Sequence, residues 1–213
     1  KASSRLRAFM LADVLQEMGH TVSIGKTDDK VDIYVGQKVR SFASVKRLRS
    51  ANPNLTVVYD FDDNFTAPAH GVLHDLTAFI NHVDLVTCGS EYLAAATRDF
   101  HDQVWVLDNP LDLKSYDNQR LPTGELRRVG WFGAPEGLLE VSKAGIRYPI
   151  ETVTRGGTIE FDIDSVDEVL TGFDLLLFPV EKTPWNLAKN ANRMMKAIAL
   201  GVPVLVSDTP EQA

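Results

Sequence analysis

The sequence is short of sulfur, of long apolar runs and of positive charge, and each shortage excludes something. Cys88 is the sole cysteine among 213 residues, so an internal disulfide and a cysteine-based zinc site are both excluded. That usage fits a reducing cytoplasm. No apolar run approaches the roughly 20 residues that a membrane-spanning helix needs, and the opening "KASSRLRAFMLADVLQEMGH" is amphipathic rather than signal-like. With 22 Lys and Arg against 29 Asp and Glu, the net charge of -7 argues against broad binding to nucleic acid or anionic membrane, both of which need excess cations. Low-complexity tracts and internal repeats are missing too. At 44% hydrophobic and 24% charged residues, the composition is that of an ordinary folded protein.

What is there is an alternation of strand and helix. From Ser4 to Met18 the apolar residues Leu6, Met10 and Val14 recur at helical spacing, with Gly19 as a C-terminal stop. Short apolar runs follow, "TVSIG", "DIYVG", "LTVVYD", "VDLVTCG" and "VWVLD", separated by helical stretches near 41 to 51, 70 to 81 and 91 to 100. This is a βαβ pattern. The segment from about Asp108 to Glu125 carries two prolines and a glycine without a sustained period, which predicts a linker between a first domain over 1–123 and a second over 124–213. The second domain reads as "RRVGWFG", a helix over 136 to 145, strands near 150 to 154 and 158 to 163, a helix at 165 to 171, "FDLLLFP", a helix from 187 to 200, and "VPVLVS". Two small doubly wound α/β domains are expected. Lys1 leads almost directly into a helix, and the chain stops at Ala213 just after a strand, so a first strand upstream and a closing helix downstream are expected in addition.

The segment "FPVEKTPWNLAKNANRMMKAIALGVPVLVSD" carries the clearest chemistry. On a helix from about 187, Lys189, Arg193 and Lys196 would share one face with Asn192 beside them, while Ala191, Met194, Met195 and Ile198 fill the other. A solvated basic stripe is the bland reading. The stripe follows a strand end, where open α/β sheets place ligands, and the amides at a helix start carry positive potential, so phosphate is the natural guest. Trp185, just before it, has a ring that can stack on a base or sugar or simply pack.

"TPWNLAKNANRMMKAIALGVPVLVSD" resembles the donor-site region of bacterial GT-B glycosyltransferases of the retaining, glycogen-synthase-like superfamily. "SSRLRAFMLADVLQEMGHTVSI" is similar to their first helix and second strand, and "VGWFGAPEG" to the strand and glycine turn that open their C-terminal domain. The resemblance implies a GT-B-like α/β fold of two Rossmann-like domains facing a cleft, acceptor in the N-terminal one and donor in the C-terminal one. It implies sugar transfer from a nucleotide diphosphate sugar such as a UDP-sugar to an acceptor, with retention and with neither metal nor cofactor. Lys189 and the Gly133 turn would contact the diphosphate, with Arg193 as second cation, Asn192 assisting and Trp185 nearby. One departure stands out. Many relatives carry a glutamate where this chain has Lys196, eight positions after an acidic or polar residue that is here Ala188, and an ammonium cannot accept hydrogen bonds from hydroxyls. Altered donor recognition, or binding of nucleotide or sugar without catalysis, is the corresponding alternative.

"VVYDFDDNF" places Asp60, Asp62 and Asp63 at a strand end. It resembles the first motif of haloacid-dehalogenase-like phosphatases, with Asp60 as nucleophile and Asp62 as acid/base, but Asn64 stands where Thr or Val belongs. Helix capping is the bland alternative. Glycosyltransferase relatives often show a similar acidic run, which implies that Asp62 and Asp63 meet acceptor or sugar hydroxyls and leaves Asp60 structural. His70 and His74 lie four apart, but Gly71 rather than glutamate follows His70, so zinc is a poor match and His70 is a candidate acceptor contact.

Overall fold

The computed structural model describes residues 4–25, 30–63, 73–116, 121 and 124–212, with the side chains of 73–75 and 114–115 outside the description. The chain divides into two compact units, Lys1–Pro110 with Leu187–Asn190, and Leu111–Asn186 with Ala191–Ala213.

In the first unit a π-helical turn, Arg5–Phe9, runs into α1 (Met10–Glu17), and Gly19 ends it in the left-handed region at φ 91°. There follow β1 (Ile33–Gln37), α2 (Phe42–Ala51), β2 (Thr56–Phe61), α3 (Leu73–Ile80), β3 (Leu85–Cys88), α4 (Glu91–Arg98) and β4 (Val104–Val106). The strands form one parallel sheet in the order β1-β2-β3-β4. Its central strands are buried on both faces: Val57, Tyr59, Phe61, Val86 and Cys88 make one face wholly apolar, and Asp60 and Thr87 are buried side by side on the other. Ser41 and Ser90 cap α2 and α4 by accepting from the amides of Ser44 and Leu93, each at 3.2 Å. Residues 21–25, "TVSIG", form no strand, and α3 is described only from Leu73.

The second unit holds β5 (Val129–Phe132), a 3-10 turn Pro135–Gly137, α5 (Leu138–Lys143), β6 (Ile150–Val153), α6 (Val166–Thr171), β7 (Leu175–Phe178), α7 (Pro184–Leu187), α8 (Asn192–Ala199) and β8 (Val204–Val206). Its parallel sheet runs β6-β5-β7-β8, so the chain leaves β5 first to one side and then to the other. That reversal creates a topological switch point at the carboxyl ends of β5 and β7. The strand expected near 158 to 163 reduces to an isolated bridge between Val153 and Ile159.

The helix expected from 187 to 200 begins only at Asn192, and a separate short helix, α7, precedes it across a break. α7 stops at Leu187, Ala188 is fully buried in the core of the first unit, and the Ser90 hydroxyl donates to its carbonyl at 2.8 Å. That carbonyl is engaged outside the helix, and α8 restarts only at Asn192.

Gly130 in β5 packs directly on Phe173: a Cβ there would lie 2.6 Å from the ring. Gly130→Ala should therefore overpack the second core and destabilise that unit by about 1–3 kcal/mol in urea unfolding, whereas Gly145→Ala, in open space but at positive φ, reports the backbone effect alone.

Candidate functional site

At the switch point of the second unit, β5 ends in Trp131 and Phe132 and turns at Gly133, while β7 ends in Phe178. Arg193, in the first turn of α8, reaches back over this edge. Its guanidinium carbon sits 5.7 Å from the Trp131 ring and 5.4 Å from the Phe178 ring, and Nη1 donates to the Phe132 carbonyl at 3.2 Å. Burial lowers the Arg193 pKa and the charge of Glu140 partly offsets it. Glu140 itself is turned to another partner, accepting from Asn186 Nδ2 at 2.6 Å. Among the described residues no carboxylate lies within ion-pair distance of Arg193. A half-buried cation with one carbonyl partner and aromatic walls is a ready anion site.

Gly133 is part of that arrangement rather than a neutral turn residue. A Cβ at this position would meet Arg193 Nη1 at 2.6 Å and the Trp131 indole at 2.9 Å. α8 opens at Asn192 behind Ala191, which supplies no side-chain cap, so the amides of the first turn lack a side-chain acceptor from that residue. Trp185 is half-buried in the short α7.

Lys189 is not on the face of α8. It lies exposed in the break, between Ala188 in the core of the first unit and Asn190. The expected three-cation stripe is thus reduced to Arg193 and Lys196, because the buried Ala188 takes the chain out of helical register. Lys196 pairs with Asp167 in the first turn of α6. Ala188 is therefore a core alanine and Lys196 an ion-paired lysine.

In the first unit the three aspartates have different surroundings. Asp60, 2% exposed, is held by Arg7, 3% exposed, which donates from Nε at 2.9 Å, and by the Thr87 hydroxyl at 2.6 Å. Arg7 also donates to Asn109 Oδ1 at 2.8 Å and to the Leu107 carbonyl at 2.5 Å, so one guanidinium ties the opening helical turn to β2 and to the chain after β4. Burial lowers the Arg7 pKa, but the hydrogen bond and charge of Asp60 outweigh it and the net direction is up. A carboxylate closed in this way is poorly placed for nucleophilic attack, against the phosphatase reading. Asp62 and Asp63 both take Lys38 as partner, the latter at 2.5 Å. Gly89, at the end of β3, touches the same corner: a Cβ there would lie 3.0 Å from Asp62 Cβ and 3.4 Å from Asn190 Nδ2. The acidic loop and the segment carrying Lys189 thus meet at one glycine within the first unit. His70 lies outside the described residues, as does the side chain of His74. Among the described residues no group of three or more metal-ligating side chains is assembled, and no helix is long and apolar enough to cross a membrane.

Arg7, Lys38 and Glu140 were not singled out from sequence. Arg7 is one of two arginines in an amphipathic helix, and nothing in the helical period marks the buried one. The signal available for Lys38 was its place after "DIYVGQ", at the end of the strand beside the acidic one.

No protein-family profile and no curated protein matches the chain. Among solved structures, HepE from Anabaena, in complex with UDP and glucose, matches with a TM-score of 0.58 at 14% identity, over 98% of this chain. The chain spans 65% of the length of that HepE chain. At this identity the likeness is one of fold, and the fold is two Rossmann-like α/β units with parallel four-stranded sheets.

Removing Arg7 leaves Asp60 buried without its counter-charge. Arg7→Met should cost about 3–5 kcal/mol in urea unfolding, and Arg7→Met with Asp60→Leu should recover a large part of that loss. Equal destabilisation in the single and double variants would count against the pair as the cause.

Proposed function

We propose that the chain is a glycosyltransferase that moves a sugar from a nucleotide diphosphate sugar to an acceptor. The observation that carries this reading is Arg193, held at the switch point against Gly133 by aromatic faces and one carbonyl, with no carboxylate in ion-pair distance among the described residues. A diphosphate leaving group gathers charge as the glycosidic bond breaks, and a fixed guanidinium with uncapped helix amides stabilises that charge where it develops. The shared fold with HepE, a structure that holds UDP and glucose, supports a nucleotide-sugar donor and makes UDP the first nucleotide to try.

In this reading Arg193, the Gly133 turn, Asn192 and Lys189 serve the diphosphate, and Trp185 packs beside the nucleotide. Asp62 and Asp63 accept hydrogen bonds from acceptor or sugar hydroxyls, and His70 belongs to the acceptor side. Retention and independence of metal follow from the family resemblance. The domain of residues 1–123 would serve the acceptor and that of 124–213 the donor.

A second reading, nucleotide-sugar binding without catalysis, is favoured by one specific pair of observations. Ala188 is buried and Lys196 is ion-paired with Asp167, so neither position offers the carboxylate or polar group that relatives carry there. Turnover distinguishes the two readings. Transfer or slow hydrolysis of a bound UDP-sugar that is lost in Asp62→Asn supports the enzyme, and binding with no turnover across a donor and acceptor panel supports the binding protein.

A thermal-shift series with UDP, GDP, TDP and CMP tests the donor site. One nucleotide should stabilise the protein by about 2.7 kcal/mol at 100 times its dissociation constant, and Gly133→Ala and Lys189→Ala should each weaken that effect. If no nucleotide stabilises the wild-type protein, the donor reading is wrong. Lys196→Glu sets two carboxylates together and should destabilise the protein in urea unfolding by an amount on the order of 1 kcal/mol, restored by Asp167→Lys.

A further inference from the structure

Lys38 is the group whose placement neither the fold nor the donor reading explains. It is the one non-glycine residue with positive φ among the described residues, at 56°, in a conformation that disfavours a side chain. Gly36, two positions earlier, makes the turn possible, because a Cβ there would stand 2.8 Å from the Val39 carbonyl. The Lys38 amide donates to the Asp60 carbonyl at 2.8 Å, which carries the β1–β2 ladder beyond its last paired residues, Gln37 and Asp60. The backbone is thereby fixed beside the acidic loop. From it the ammonium reaches Asp62, whose side chain is 10% exposed, and Asp63, 30% exposed. Burial pulls the Lys38 pKa down, but hydrogen bonds and charges from both aspartates outweigh it and raise it.

We propose that Lys38 is the built-in counter-ion of the Asp62–Asp63 pair, its ammonium occupying the position between the carboxylates that a divalent cation would otherwise take. The functional part of this inference rests on the reading of Asp62 and Asp63 as the acceptor-side acids. Among the described residues the cluster sets two aspartates against one lysine. The aspartate oxygens accept from sugar hydroxyls, the ammonium donates to them, and a metal ion meets a fixed cation instead of an open dicarboxylate. Lys38 is then a positioning residue: it holds the two carboxylates at close range and sets the site for a neutral polyhydroxylated ligand. The same geometry is adverse to a magnesium-dependent phosphatase site in this loop.

The test uses manganese as the probe, with free Mn(II) followed by electron paramagnetic resonance in the full chain. Lys38→Gly is the variant of choice, because glycine accepts positive φ without strain and the fold should survive the loss of the ammonium. Lys38→Gly should bind one Mn(II) at least tenfold more tightly than wild type. Adding Asp62→Asn should return affinity to the wild-type level, and Lys38→Arg should behave as wild type. Should Lys38→Gly misfold, Lys38→Gln serves for the same comparison. Equal Mn(II) affinity in wild type and the uncharged variant, or a gained site that survives Asp62→Asn, overturns the proposal. UDP stabilisation measured on the same proteins separates the two readings: its absence in wild type refutes the donor assignment, while the manganese comparison still decides the role of Lys38.

Discussion

The arrangement on which the rest depends is a guanidinium that pairs with no carboxylate among the described residues. Arg193 leaves the first turn of α8, crosses the ends of β5 and β7, and comes to rest against two aromatic rings and one backbone carbonyl. Holding a cation in such surroundings costs free energy unless an anion arrives, and its pKa is lowered accordingly. The residues around it make sense in those terms. Gly133 has no side chain because the guanidinium fills that space, Trp131 is fully buried and forms its wall, and Glu140, whose charge raises the Arg193 pKa, is bound to Asn186.

The chain disposes of its other important cations differently, and the contrast separates structure from chemistry. Arg7 and Asp60 close on each other in the core of the first unit and tie three chain segments together, a role for stability. Lys196 takes Asp167 at a half-exposed helix start. Lys38 shares two aspartates at the strand ends and leaves them with a net negative charge. Only the last of these arrangements lies at the carboxyl edge of a sheet with an unbalanced charge, which is where ligand chemistry in open α/β folds is found.

Much of the fold was legible in the sequence because parallel strands buried on both faces write themselves as short apolar runs, and "LTVVYD", "VDLVTCG", "RRVGWFG" and "FDLLLFP" each hold a strand. "TVSIG" is similar in composition but joins no strand ladder among the described residues, since strand propensity is expressed only where a neighbouring strand supplies the ladder. The cationic helix is shorter at its start than its sequence period suggests, opening at Asn192 rather than near 187. Its period continues through 188–191, but the hydrogen bond from Ser90 to the Ala188 carbonyl comes from 98 residues away, and no local pattern can announce it. For the same reason Asp62, Asp63, Gly133 and Arg193 could be singled out by type and place, whereas Arg7 and Lys38 acquire their importance only from partners brought to them by the sheet.

The most direct test of the Arg193 site compares UDP with uridine by isothermal titration calorimetry in wild type and Arg193→Met. The two ligands differ only in the diphosphate, so their affinity ratio reports the group that Arg193 is assigned to hold. Wild type should prefer UDP by at least tenfold, and the ratio should collapse toward one in Arg193→Met while uridine binding is unchanged. An undiminished preference for UDP in Arg193→Met would contradict the assignment.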